Sequence, residues 1–220
     1  VSEVSDNLSY APSARICDVI ADALAERGYY VLPEALPPEL AQALLRVGTD
    51  ETARNFTLAG TGRELGRKVN RKVRSDKIDW VAGETVAERQ YLQWMEGLRL
   101  ELNRRLFMGL FDYECHFACY EPGAFYRTHL DAFEGRRNRI LSTVLYLNPG
   151  WQEGDGGALR LYERDATTLI EEVLPLHNTL VVFLSERFPH EVLPTARHRY
   201  SLTGWFRVNT CSADMVDPPA

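Results

Sequence analysis

From Tyr113 onward the chain reads with a period of two. Short runs rich in Val, Ile, Leu, Tyr, Phe and Thr occupy 113–120, 125–130, 139–147, 158–162, 179–184, 191–193 and 200–208. Turn signals separate them at Glu121-Pro122-Gly123, Asn148-Pro149-Gly150, Gly154-Asp155-Gly156-Gly157 and His177-Asn178. Successive strand residues point to opposite faces, so each run presents one apolar face for burial. Many short strands joined by tight turns imply a sandwich or a barrel.

The first half follows a helical period instead. Ser13 caps a predicted helix to about Arg27, with Ile16, Val19, Ile20, Ala23 and Leu24 on one stripe and Gly28 as the stop. A short strand is expected at 29–32. Pro37-Pro38-Glu39 opens a second helix that buries Leu40, Leu44 and Leu45, and 85–110 reads as a long amphipathic helix. These helices are expected to buttress a sheet. At 220 residues and 45% hydrophobic content, the chain is long enough for one substantial core. The expected organisation is a mobile lead-in at 1–12, a single domain at 13–210 and a short tail at 211–220.

Within the strand-rich half, Tyr126-Arg127-Thr128-His129-Leu130-Asp131 carries the first chemical signal. In an extended segment His129 and Asp131 share a face, so imidazole and carboxylate converge on one metal. With 5 histidines and 12 aspartates in 220 residues, about 0.3 such pairs arise by chance, so the pair alone carries little. Its company adds weight. His190, in Phe188-Pro189-His190-Glu191-Val192, offers a third ligand from another predicted strand. Two histidines and one carboxylate with open positions form the facial triad of non-haem Fe(II) oxygenases. Arg199 follows in a run whose alternation sends Arg199, Ser201, Thr203 and Trp205 to one face. A guanidinium at a pocket mouth suits bidentate capture of the far carboxylate of a dicarboxylate co-substrate.

Taken together, the stretches ALAERGYYVL, RSDKIDW, ACYEPGAFYRTHLD, LYLNPGW, GGALRLY, FPHEV and RYSLTGW resemble the prolyl 4-hydroxylase branch of the Fe(II)/2-oxoglutarate oxygenases. The resemblance is to the hypoxia-inducible-factor prolyl hydroxylases and their bacterial relatives, and it runs from about Ala23 to Arg207. It narrows the fold to α+β, mainly β: a double-stranded β-helix, or jelly roll, with the metal at its open end and N-terminal helices behind. It implies Fe(II), 2-oxoglutarate and O2, with ascorbate as a stimulant. The reaction implied is trans-4-hydroxylation of a prolyl residue in a protein, with release of succinate and CO2 and a link to oxygen sensing. For a bacterial relative the implied partner is elongation factor Tu.

The same resemblance implies residue roles. Tyr146 joins Arg199 at the 5-carboxylate of 2-oxoglutarate, Tyr120 lines the co-substrate pocket, and Val144, Leu159, Thr203 and Trp205 wall it. Tyr126 and Arg139 lie on the substrate side, as does Trp205. From Arg63 to Lys77 stand seven basic residues (Arg63, Arg67, Lys68, Arg71, Lys72, Arg74, Lys77) against Glu64 and Asp76. A charge run by itself reads as a solvated loop. The resemblance makes it a flexible finger loop that closes over the peptide, with Arg74 and Asp76 shaping the entrance and closure excluding water. His116, His177 and His198 read as ordinary strand or surface histidines.

Two departures bear on substrate choice. Only 21 residues follow Arg199, so the C-terminal helix of animal members is expected to be short or absent, with no zinc finger ahead of the domain. Thr128 stands where the animal enzymes carry arginine. The net charge of −6 argues against general affinity for nucleic acid or anionic membrane. No basic-then-apolar leader and no apolar run approaching 18 residues is present, so a cytoplasmic protein, expected monomeric, is the reading. Cys17, Cys115, Cys119 and Cys211 form no CxxC and read as reduced thiols. An oxygenase acting on a free amino acid or small metabolite, and a non-catalytic jelly-roll binding or sensing module, are the alternatives.

Overall fold

The structure, a computed structural model, describes residues 10–50, 52–60, 70, 72–132 and 138–209. The expectations for 1–9 of the lead-in, for the tail at 211–220, and for Arg63, Glu64, Arg67, Lys68 and Arg71 lie outside the described residues.

Helix α1 (Ala14–Glu26) begins where Ser13 Oγ accepts the Ile16 amide at 3.3 Å, and Gly28, at φ +86°, turns the chain away. Strand β1 (Tyr29–Leu32) follows, then α2 (Pro38–Thr49) with its proline in the first turn. Helix α2 buries Leu40, Ala41, Leu44 and Gly48, whereas Leu45, expected inside, is only half-buried. Helix α3 (Val86–Leu106) opens with a reciprocal Thr85–Glu88 capping box. It ends short of the expected 110 because Phe107 adopts a left-handed conformation at φ 54° and Gly109 one at φ +67°. Asn103 fastens the emerging strand, donating to Leu110 O at 2.8 Å and accepting its amide at 2.7 Å. Strand β4 (Leu110–Tyr120) therefore starts three residues earlier than its apolar run suggests.

The remaining strands are β5 (Tyr126–His129), β6 (Arg139–Tyr146), β7 (Leu159–Tyr162), β9 (Leu180–Leu184), β10 (His190–Val192) and β11 (Arg199–Val208), close to expectation. Three strands lack a clear sequence signal: β2 (Thr57–Leu58), β3 (Lys77–Trp80) and β8 (Leu169–Val173). They lie at or next to sheet edges, where short, charged, half-exposed segments are usual.

Antiparallel pairing gives a seven-stranded sheet, β1-β9-β6-β11-β4-β3-β2, and a four-stranded sheet, β5-β10-β7-β8. This is the jelly roll with helices behind it. Alternation along the central strands creates two cores. On one face, Phe117, Leu141, Leu145, Leu180, Val182, Leu202 and Phe206 pack with Ile20, Leu24, Leu44, Trp94, Met95 and Leu98 of the helices, and Tyr10 already joins this core. On the other, Ala118, Tyr120, Val144, Tyr146, Val181 and Phe183 meet Leu159, Leu161, Val173 and Val192 of the smaller sheet. No helix among the described residues is long and apolar enough to cross a membrane.

One close approach tests the helix-side packing. Tyr91, Tyr113 and Thr143 form a buried hydroxyl chain with O···O distances of 3.0 and 2.8 Å, and a Cβ on Gly204 would collide with the Tyr113 hydroxyl. Gly204→Ala is expected to cost about 1–3 kcal/mol through overpacking. Thermal denaturation followed by circular dichroism checks this; an unchanged midpoint would show that the chain relaxes freely there.

Candidate metal centre and co-substrate pocket

Strands β5 and β10 are neighbours, and His190 stands directly opposite His129 in their ladder. Asp131 follows β5 by two residues. The three side chains are the group among the described residues whose ligand atoms all lie within 4.8 Å of one another. Asp131 Oδ1 is 3.5 Å from His129 Nε2, and Oδ2 is 3.6 Å from His190 Nε2.

Local backbone sets both imidazoles in the same way. His129 Nδ1 lies 2.8 Å from the carbonyl of Arg127, and His190 Nδ1 lies 3.0 Å from that of Phe188. In each case the carbonyl two residues back takes the Nδ1 proton, so Nε2 is left as a lone-pair donor. Ring contacts fix the planes: Tyr126 stacks on His129 at 3.5 Å between centroids, and Phe183 meets His190 edge-on at 4.8 Å. Burial, reinforced by His129, pushes His190 down to about 4, so it is neutral at physiological pH. Burial alone would raise Asp131, but His190 and His129 beside it hold the carboxyl well below the usual range. A neutral imidazole and an ionised carboxylate are the ligating forms.

Arg199 is 1% exposed and sits between two tyrosine rings, its guanidinium carbon 5.0 Å from the centroids of both Tyr120 and Tyr146. The ladder explains this: Arg199 pairs with Tyr120, and Ser201 with Tyr146. Arg199 Nε donates to the Gly157 carbonyl at 2.8 Å. Gly157, at φ +67°, lets that turn press in, since a Cβ there would stand 3.0 Å from Arg199 Cδ. What remains is telling. Arg199 Nη2 and the Tyr146 hydroxyl are both buried with no hydrogen-bond partner. Burial pushes Tyr146 up to about 12, partly offset by Arg199, so it is a phenol that can donate. A cationic donor and a neutral donor left unsatisfied side by side call for an anionic acceptor.

Strand β6 joins the two clusters. Ser142 on β6 donates to Asp131 Oδ2 at 2.7 Å, and Tyr146 faces Arg199. Four residues of strand, about 13 Å, separate them, with Val144 between on the same face. Val144, Leu159, Tyr120 and Tyr146 belong to one apolar cluster. Thr203 lies opposite Val144 on one side and His116 on the other.

An aromatic and cationic wall adjoins the three-residue cluster, with Arg139 close enough to act on the charge of Asp131. Arg139 lies over the Trp205 ring at 3.5 Å while bonding Glu114 at 2.9 and 2.6 Å. Trp205 Nε1 is buried without a partner. His116 contacts Trp205 at 5.5 Å and Trp80 at 5.2 Å between centroids. Burial, with Arg74 nearby, pushes His116 down to about 4. Of the two places expected for it, strand or surface, His116 takes the strand one, as a buried member of this wall. Alternation from Tyr120 back through Ala118 to His116 was the signal available for it. Trp80 closes the RSDKIDW stretch with no role implied for it there, and nothing in the chain flagged Ser142 in advance.

The end of the basic run is tied to the same place. Arg127 N donates to Val73 O at 2.9 Å and Ser75 N to Phe125 O at 3.1 Å, so 73–75 lines the outer edge of β5. Arg74 grips buried Asp76 at 2.7 and 2.5 Å and lies 4.3 Å over the Tyr126 ring. Guanidinium, phenol and imidazole are thus layered onto His129.

Residues 115–207 match the family described as the 2OG-Fe(II) oxygenase superfamily. The chain is 31% identical over 201 residues to prolyl hydroxylase EGLN3 of Mus musculus, covering 86% of this chain and 82% of that protein. A hypoxia-inducible factor prolyl hydroxylase of Caenorhabditis elegans is 38% identical over 86 residues, so the chain spans 12% of that longer protein. Among solved structures, a Pseudomonas putida prolyl-4-hydroxylase superposes with a TM-score of 0.78 at 44% identity, covering 87% of this chain and 98% of the other. A Trichoplax adhaerens prolyl hydroxylase in complex with a hypoxia-inducible-factor oxygen degradation domain peptide fragment gives 0.78 at 26% identity, covering 88% and 89%.

Removing the Arg74 guanidinium leaves the Asp76 carboxylate buried and uncompensated, which costs roughly 3–5 kcal/mol. Arg74→Ala is expected to release 73–75 from β5. Faster hydrogen exchange at the Ser75 and Arg127 amides would report this; unchanged protection would show that the ion pair does not hold the segment.

Proposed function

Because the chain belongs to the 2OG-Fe(II) oxygenase superfamily and, within it, to the prolyl hydroxylases, we propose that it hydroxylates C-4 of a prolyl residue in a protein, in the trans sense. The observation that carries this reading is the pairing, along β6, of an open two-histidine, one-carboxylate cluster with a buried arginine and tyrosine left without acceptors.

The donor set fits Fe(II): two imidazole Nε2 atoms and one carboxylate, arranged to leave other positions open. His129, Asp131 and His190 hold the metal. The orphaned donors of Arg199 and Tyr146 fit a carboxylate, so they take the 5-carboxylate of 2-oxoglutarate, with Tyr120 beneath the guanidinium. When bound, iron, 2-oxoglutarate and O2 supply the oxidising power that turns a C–H bond into C–OH as the keto acid becomes succinate and CO2.

The protein's own part is to bind, orient and exclude water. The span of β6 between Ser142 and Tyr146 suits a short dicarboxylate reaching from metal to guanidinium. Val144 and Leu159, with Thr203 at the β11 edge, wall that path and keep its polar ends the only places where a charged ligand is satisfied. Trp205 carries a buried, unpartnered N–H, and Arg139, stacked on its ring, offers a flat cationic ledge to the substrate. Tyr126 fixes the His129 plane and fronts the substrate, while Arg74 and Asp76 hold the base of the entrance segment.

A peptide-sized partner is supported by the Trichoplax relative, which was solved with a peptide fragment. Elongation factor Tu is the first protein to offer as substrate, followed by other proline-bearing proteins. A cytoplasmic site of action is supported by Cys17, Cys115 and Cys119, which are buried free thiols.

The deciding experiment is succinate formation in air with Fe(II) and 2-oxoglutarate, and mass spectrometry of candidate proteins for one added oxygen atom on a proline. Turnover without any modified proline would move the activity to another substrate class. His190→Ala is expected to abolish iron binding and turnover while circular dichroism stays native. Arg199→Ala should weaken 2-oxoglutarate binding by two or more orders of magnitude, in line with roughly 3–5 kcal/mol for loss of a buried charge partner. Equal affinity in that variant, measured by calorimetry, would place the co-substrate elsewhere.

A further inference from the structure

Behind the Asp131 carboxylate lie two serine hydroxyls at positions where their strands otherwise place apolar side chains. Ser142 precedes Val144 and Tyr146 on the inter-sheet face of β6, and Ser185 continues the series Val181, Phe183 just past β9. Both serines are 0% exposed. Ser142 Oγ is 2.7 Å from Asp131 Oδ2 and 2.9 Å from Ser185 Oγ.

Valence fixes the direction of these bonds. An ionised carboxylate only accepts, and a hydroxyl carries one proton. Ser142 therefore donates to Asp131, so Ser185 must donate to Ser142. The chain of donors runs Ser185, Ser142, Asp131. Ser185 is itself held by its amide, which donates to Ile140 O at 3.0 Å, and it stands in the turn that leads from β9 to His190. The hydroxyls thus connect the segment that follows β5, strand β6 and the turn that leads to His190. Among the described residues, Ser142 is the hydrogen-bond donor to Asp131 that is not itself a candidate ligand, so it can orient the carboxylate before a metal arrives.

We infer that Ser142 and Ser185 are positioning residues for the metal ligand Asp131, presetting its carboxylate plane relative to the His190 turn. The inference rests on the triad proposed above. Hydrogen-bond partners of metal ligands change metal affinity by roughly 10- to 100-fold when removed.

Mn(II) binding, read from the electron paramagnetic resonance signal of the free ion, tests this without turnover. The wild type is expected to bind one Mn(II) and His190→Ala none; failure of the wild type to bind would overturn the triad and this inference together. Ser142→Ala should bind roughly 10- to 100-fold more weakly, in protein whose circular dichroism stays native at the assay temperature. Ser185→Ala, which keeps the bond to Asp131, should fall between it and the wild type. Ser142→Thr, which keeps the hydroxyl, should restore affinity to within about threefold. Wild-type affinity in Ser142→Ala, or a loss in folded Ser142→Thr equal to that of Ser142→Ala, would overturn the positioning role and leave the triad standing. Should the added methyl of Ser142→Thr prevent folding, Ser185→Ala decides: an intermediate affinity supports the hydroxyl chain, and wild-type affinity overturns it.

Discussion

On β6, Leu141, Thr143 and Leu145 turn toward the helices while Ser142, Val144 and Tyr146 turn into the space between the sheets. The same division runs through β4, β9 and β11. It lets one sheet serve two masters without compromise: one face is a sealed apolar core against α1, α2 and α3, and the other carries polar side chains at measured intervals. Because strand residues on one face repeat about every 6.6–6.8 Å, the distance from Asp131's hydroxyl partner to Arg199's tyrosine partner is set by backbone geometry rather than by side-chain flexibility. A one-residue slip in the β6–β11 ladder would carry Arg199 into the helix-side core and leave the inter-sheet space without its cation.

The path of the chain from Lys72 to Trp80 extends this logic to the entrance. Residues 73–75 pair with β5 of the smaller sheet, and β3 pairs with β4 of the larger. Asp76 stands at the crossing, buried and gripped by Arg74. A single short segment therefore fastens the two sheets at the end where the metal ligands lie. The layered contact of Arg74, Tyr126 and His129 means that a shift of this segment reaches the His129 ring through two stacked planes.

Much of this was legible in the chain. The central strands announce themselves by apolar, β-rich runs bounded by turn residues because they are buried on both faces, and the convergence of His129 with Asp131 was visible because HxD needs only the strand repeat. Arg199 was offered by strand alternation and Tyr146 by resemblance, and the geometry adds why they belong together: a shared lack of acceptors. The strands β2, β3 and β8 were not legible, since they are short and largely half-exposed; β3 gains its place from β4, distant in sequence, and β8 from a hairpin with β7 that its own residues do not announce. The early end of α3 was hidden because Phe107 in a left-handed conformation carries no sequence flag such as glycine. Ser142 and Ser185 were invisible for another reason: a serine in a strand means nothing until the neighbour it bonds is known.

The four tryptophans are distributed unevenly across these two faces. Trp94 is sealed among the helices, and Trp151 bonds the Gly156 carbonyl away from the wall. Trp205 and Trp80 flank His116, with Arg139 over the first and solvent reaching the second, which is 48% exposed. The protein consequently carries a built-in optical gauge. Two indoles share the surroundings of His116, one nearly buried and one half-exposed, while Trp94 lies in the separate helix-side core, so the emission spectrum of the unlabelled chain samples the two faces of the sheet independently.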